Sequence, residues 1–104
     1  SACATRLKVA GISLYAFGPV EAEPDDDTLT YADPEGGDYR RLLLRNDRLI
    51  GAVLYGDTGD GPALFQLSQA GADLGHHRDL LLFGASDVAQ RLTEDTQHSL
   101  EEAA

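Results

Sequence analysis

Two apolar runs, Leu42-Leu43-Leu44 and residues 49–55, flank the pair Asn46-Asp47. Two turn-prone residues between β-forming runs are the strongest short-range signal for a hairpin. The stretch YRRLLLRNDRLIGAVLYGDT, residues 39–58, therefore reads as two central antiparallel strands around which the rest of the chain is arranged. With Asn46 and Asp47 as the loop, Leu44 faces Leu49, Leu43 faces Ile50, Leu42 faces Gly51, Arg41 faces Ala52 and Tyr39 faces Leu54. Both faces are then apolar near the turn, which places the pair in mid-sheet or under cover on both sides. Arg45 opposite Arg48 is a mild cost that a four-residue loop would relieve, so both loop lengths stay open. Gly51 weakens a strand unless something approaches it closely, most simply a helix packed on the sheet.

The remaining elements follow from periodicity and punctuation. Residues 7–15 (LKVAGISLY) alternate well enough for one strand, stopped by Phe17-Gly18-Pro19. Residues 21–35 hold seven carboxylates (Glu21, Glu23, Asp25, Asp26, Asp27, Asp33, Glu35) and no Lys or Arg. Within them only residues 28–31 are β-prone, and flanking charge of this kind marks an edge strand. Asp33-Pro34-Glu35-Gly36-Gly37 is a turn. After Tyr55, Leu64, Phe65 and Leu67 fall at helical spacing between Pro62 and Gly71, which predicts a helix over 62–70 with an Asp before it. Residues 73–84 (DLGHHRDLLLFG) predict a second short helix, capped by Asp73 and ended by Gly84, although the run 80–83 suits a strand equally. Residues 85–104 form an acidic tail, with Val88, Leu92 and Leu100 as its large apolar residues and six charged ones; a weak helix from near Asp87 and a frayed, disordered tail are both compatible with it. The expected class is α+β: a mainly antiparallel sheet of about four strands with a central hairpin, then two short helices packed on it, in a domain spanning residues 1–84.

At 104 residues the chain is one domain with 42% hydrophobic residues, enough for a single core without staples. A net charge of −10 argues against nucleic acid and anionic membrane surfaces as partners. One cysteine, Cys3, gives no disulfide framework and makes a reducing cytoplasm the simpler compartment. No apolar run approaches a membrane span and no signal peptide is visible; the absence of Met suggests an excised domain or a processed chain.

Candidate chemistry is sparse. Asp57 and Asp60 in GDTGDG have neither EF-hand spacing nor the Gly-Lys-Ser/Thr end of a phosphate loop, so they read as turn and capping residues. His76 and His77 point about 100° apart on a helix, and with His98 and Cys3 distant in sequence they do not make a metal site. Cys3 as a nucleophile would need a base and an electropositive setting, with only Arg6 and Lys8 close in sequence. No catalytic residue, cofactor-binding residue or metal ligand is assigned. Arg40, Arg41, Arg45 and Arg48 gather on the hairpin; Arg40 and Arg41 must point to opposite faces, and one of the two is placed to meet acidic residues of 21–35.

LKVAGISLYAFG, GDYRRLLLRNDRLIGAVLYGDTGDGPALFQL and RDLLLFG together resemble the small C-terminal domain of the FAD-dependent pyridine nucleotide-disulfide oxidoreductase family, in the version carried by the large subunit of assimilatory NAD(P)H nitrite reductase. The resemblance covers residues 7–84. Residues 7–11 match an opening LKV-x-G strand, residues 39–44 and 49–58 the Y-(K/R)-R-L-x-L and G-A-V-L-x-G-D-T strands, and Asp60-Gly61 with residues 78–84 the helical end. The position after Pro62, often Trp in that family, is Ala63 here, which removes any aromatic packing toward the flavin from that position. The resemblance implies a parent oxidoreductase with FAD, NAD(P)H, iron–sulfur and siroheme centres, none held by this fragment, which lacks G-x-G-x-x-G and a Cys cluster. It implies a cytoplasmic, non-catalytic accessory domain that packs against the flavin domains of the parent or a second subunit, with Tyr55, Gly56, Asp57, Thr58 and Gly61 at the interdomain contact. The alternative is a stand-alone module binding a basic protein through residues 21–35.

Overall fold

The computed structural model describes residues 3–103. A five-stranded antiparallel sheet is followed by two helices: β1 (Thr5–Val9), β2 (Ile12–Phe17), β3 (Asp27–Asp33), β4 (Asp38–Arg45), β5 (Arg48–Tyr55), α1 (Gly61–Ala70) and α2 (Arg78–Ala103). The strand order is β1-β2-β5-β4-β3, so the predicted hairpin lies at the centre. The α+β class is as expected. The extra strand arises because residues 7–15 are two strands rather than one. Ala10 (φ 52°) and Gly11 (φ 81°) reverse the chain between β1 and β2 in left-handed conformations, and an Ala-Gly turn inside an alternating run leaves no mark in the apolar pattern.

The central hairpin closes on two residues, not four. Asn46 and Asp47 take φ 53° and 62°, the geometry whose twist matches that of the flanking strands, and Arg45 sits opposite Arg48. Beyond Leu44↔Leu49 the expected register is off by one: Leu43 pairs with Gly51, Leu42 with Ala52, Arg41 with Val53 and Tyr39 with Tyr55. A bulge between Leu43 and Leu44 inserts Ile50 as an extra residue in β5. Side chains alternate with period two, so this one residue resets the parity and brings Leu49, Ala52 and Leu54 to the same face as Leu42 and Leu44.

That face is the core. Tyr15 and Phe17 from β2, Leu42 and Leu44 from β4, and Leu49, Ala52 and Leu54 from β5 pack with Leu64 and Leu67 of α1, Leu74, and Leu81, Ala85 and Val88 of α2. Phe17 meets Phe65 edge-to-face at 5.3 Å, and Gly61 lies so close to Tyr15 that a Cβ there would come within 2.6 Å of its ring.

Gly51 is indeed approached closely, but by a loop on the opposite face and not by a helix: a Cβ at Gly51 would meet the Pro19 carbonyl oxygen at 2.8 Å. The segment after β2 crosses the sheet there and covers Leu43, which is 1% exposed.

Pro62 stands in the first turn of α1 and Gly71 ends it with φ 61°. Gly84 stands outside helical geometry (φ −125°, ψ 28°) and ends the first helical segment of α2 at a kink, as expected; a second segment runs on from the kink to Ala103. Asp73 does not cap α2; its carboxylate accepts the Gly75 N–H in the preceding turn at 3.0 Å, three residues before the helix opens.

Candidate functional site

Arg40 shares the β4 phase of Leu42 and Leu44, so its side chain enters the core side of the sheet between β5, α1 and α2. It is 6% exposed. Its Nη1 donates to Asp60 Oδ2 at 2.8 Å and to the Leu82 carbonyl, its Nη2 to Asp57 Oδ2 at 3.4 Å. Phe83 lies 5.4 Å from the guanidinium carbon and packs edge-to-face on Tyr31 at 4.7 Å. One buried cation thus ties the sheet to the β5–α1 junction and to the start of α2, with enough acceptors to offset its desolvation.

The same contacts explain the junction. Asp60 stands at the N-cap of α1 yet makes no side-chain cap hydrogen bond, because its carboxylate is turned to Arg40. Asp57 accepts the Gly59 N–H at 3.0 Å, and the Asp57 N–H donates to Asp38 Oδ1 at 3.1 Å. A dinucleotide would need open backbone N–H groups at this helix start. Here two carboxylates and an arginine fill the place, and the Gly61 N–H is already donated to the Thr58 carbonyl. These residues do not fit FAD or NAD(P)H. Among the described residues no group of three or more His, Cys, Asp or Glu is placed to hold a metal ion. His76 is exposed, His77 half-buried, Cys3 exposed, and His98 pairs with Glu102 at 2.9 Å along α2.

The acidic segment is answered by a different arginine from the pair expected. Arg45 grips Asp26 with Nε–Oδ1 at 2.8 Å and Nη2–Oδ2 at 2.9 Å, with Glu23 at 3.5 Å. The hydrogen bonds from Arg45, reinforced by the Glu23 backbone N–H, hold the Asp26 carboxyl down at about 2. Arg78 reaches Asp27 at 3.1 Å and Asp47 at 3.3 Å. Arg41 donates instead to the Val20 carbonyl. A bidentate Arg–carboxylate pair depends on where the loop after β2 crosses, which strand phase does not reveal.

The interdomain residues divide between two surroundings. Gly61 is buried against Tyr15 and Gly56 lies against Asp38, both within the chain. Asp57 has a 63% exposed side chain. Tyr55 lies on the sheet face away from the helices, beside Leu14 and opposite Tyr39. On that face Leu7, Val9 and Ile12 are 51%, 49% and 37% exposed, and Leu14, Ala16 and Val53 are half-buried. This is a contiguous apolar surface reaching from β1 to β5, with Tyr55 at the edge where the sheet passes into the Arg40 junction. Large apolar patches on a sheet face mark contact with another body.

Comparison with known proteins settles the lineage. The model of the rubredoxin NAD+ reductase C-terminal domain matches residues 4–70. The chain belongs to this family. It is similar to "Nitrite reductase [NAD(P)H]" of Bacillus subtilis (strain 168), 32% identical over 74 residues, 71% of this chain and 9% of the relative. The "Nitrite reductase (NADH) large subunit" of Escherichia coli (strain K12) is 32% identical over 83 residues, 77% of this chain and 10% of the relative. The "Assimilatory nitrate reductase electron transfer subunit" of Bacillus subtilis (strain 168) is 33% identical over 60 residues, 58% of this chain and 8% of the relative. The chain therefore spans about a tenth of the length of these relatives. The matched family region takes in the whole sheet and α1 and ends before α2.

Proposed function

We propose that this chain is the C-terminal accessory domain of an FAD- and NAD(P)H-dependent nitrite reductase and that it does no chemistry itself. It packs on the flavin domains of its parent through the open sheet face, with Tyr55, Asp57 and Thr58 at the margin of the contact. The observation that carries this reading is the sheet itself: helices cover one face, while Leu7, Val9 and Ile12 stand exposed on the other. FAD and NAD(P)H belong in this reading to other parts of the parent, as do iron–sulfur and siroheme centres, and the parent works in the cytoplasm. No helix among the described residues is long and apolar enough to cross a membrane.

The reading as a stand-alone module binding through residues 21–35 has less support, because Glu23, Asp26 and Asp27 are engaged within the chain by Arg45 and Arg78. Titrating the domain into a nitrite reductase large subunit truncated to its FAD and NAD(P)H domains, followed by heat and flavin fluorescence, tests the proposal. Saturable binding that changes the flavin signal and is lost in Leu7→Asp/Val9→Asp is the expected result. Binding unaffected by these substitutions would overturn the assignment of the face, and self-association of the domain abolished by them would assign it to a homodimer.

A further inference from the structure

β1 closes one side of the sheet as an edge strand, and every residue in it is exposed. Its turn to β2 has two residues, so Val9 and Ile12 form the closing pair and exchange both hydrogen bonds. Hydrogen-bonded pairs alternate along an antiparallel ladder, so Leu7 and Thr5 also bond to β2, while the N–H and C=O of Arg6 and Lys8 point out of the sheet. The other side of β2 has the phase this requires: Ser13, the neighbour of Lys8, turns its carbonyl to β5 and accepts the Gly56 N–H at 2.9 Å. β1 pairs with β2 alone, and among the described residues no loop bonds to its outer side.

The side chains of this edge decide what it can receive. Residues 1–20 contain no Asp or Glu, and Arg6 and Lys8 are the only charged side chains among them, in a chain of net charge −10. By strand parity both lie on the helix side of the sheet, and the Arg6 guanidinium carbon stands 5.2 Å from the centre of the Tyr15 ring on that side. Leu7 and Val9 alternate onto the open face. Among the described residues neither cation makes an ion pair, whereas Arg40, Arg45 and Arg78 all do. A second copy does not suit the edge: two β1 strands in full antiparallel overlap set Arg6 of one copy opposite Lys8 of the other, and like charges directly opposed destabilise a ladder.

We propose that β1 takes up an extended segment of a protein partner as a sixth strand of the sheet, and that this segment carries an acidic residue on either side of an apolar one. In an antiparallel ladder the two acidic residues stand opposite Lys8 and Arg6 and exchange the backbone hydrogen bonds with them. The apolar residue between them lies beside Leu7 and extends the open face by one strand. Backbone pairing supplies the hold. The two cations select the sign and the register, because a slip of one residue turns the acidic side chains to the apolar face. The edge offers hydrogen-bonding groups and charge, so this inference stands apart from the packing proposed for the open face.

The test is an NMR titration of the isotope-labelled 104-residue chain with a synthetic peptide of about eight residues centred on Glu-Val-Glu. Saturable binding is expected, with slower exchange of the Arg6 and Lys8 amide protons and little change at Leu7 and Val9, which already bond to β2. N-methylation of the two Glu amides, whose N–H groups face β1, should weaken binding about tenfold or more, while N-methylation of the Val, whose N–H faces away, leaves it intact. Lys8→Glu, at an exposed edge position, keeps the fold; it should weaken binding of this peptide and favour one centred on Lys-Val-Lys. Equal binding of the two N-methylated peptides would show undirected charge attraction and overturn the proposal. So would an affinity indifferent to Lys8→Glu, or no binding, in which case Arg6 and Lys8 serve to keep the edge unpaired. Self-association of the chain that Lys8→Glu abolishes would assign the edge to a second copy and likewise overturn it.

Discussion

The guanidinium of Arg40 reaches from β4 to the carboxylate of Asp60 at the head of α1, Nη1 to Oδ2 2.8 Å, with 7% of the arginine side chain and 24% of the aspartate side chain exposed. Asp57 joins the same guanidinium at 3.4 Å with 63% of its side chain in solvent. The two aspartates are thus unequal partners. Asp60→Asn is expected to lower stability by about 1–3 kcal/mol, because a buried arginine loses its close counter-charge. Asp57→Asn is expected to cost below about 1 kcal/mol, as for an exposed pair. Urea denaturation midpoints at neutral pH rank them; equal shifts would contradict the division of roles.

Arg45 and Asp26 give the chain a dependence on acid. The Asp26 carboxyl is held at about 2, below its ordinary 3.8, chiefly by the hydrogen bonds from Arg45. A depressed carboxylate contributes stability that is fully present above its unfolded value and is lost as pH falls through the folded one. The contribution should therefore be complete above about pH 4 and decline between there and about pH 2. Asp26→Asn should remove that part of the decline, so that thermal midpoints of the two proteins differ at pH 6 and converge toward pH 2. A constant difference across this range would assign the loss on substitution to something other than the charge.

Gly51 has no room for a side chain. A Cβ would stand 2.8 Å from the Pro19 carbonyl oxygen and 3.3 Å from that of Phe17, and both are backbone atoms. Gly51→Ala is expected to destabilise by about 1–3 kcal/mol by pushing the crossing loop off the sheet. Faster amide exchange near Pro19 and Val20 in the variant would locate the effect, and an unchanged denaturant midpoint would show that the loop yields freely.

Ala10 holds a left-handed conformation (φ 52°) at the β1–β2 turn. Such a conformation costs an alanine about 1–2 kcal/mol, of which glycine recovers part after its larger unfolded-state entropy is counted. Ala10→Gly is expected to raise stability by about 0.5–1 kcal/mol. A melting temperature that falls instead would argue against the two-residue turn.

Much of the sheet could be read before the structure was known. Asn46-Asp47 between two leucine-rich runs, the charge-flanked edge strand and the Pro62-to-Gly71 helix all depend on neighbouring residues. What failed has a shared cause. The bulge at Ile50 and the turn at Ala10-Gly11 are each a change of one residue or one pair of residues, and the hydrophobic pattern averages over such changes. Arg40 could have been suspected, since it keeps phase with Leu42 and Leu44, but its acceptors lie on three other elements.

The sequence by itself determined the central hairpin and the α+β class, because local turn chemistry and apolar periodicity act over a few residues, while the family was legible only through the resemblance of its motifs to known sequences. Only the tertiary structure decided which arginine meets which aspartate and which face of the sheet is left open. Those depend on strand parity after a bulge and on where a loop crosses the sheet, and the energies involved come from groups distant in the chain that folding alone brings together.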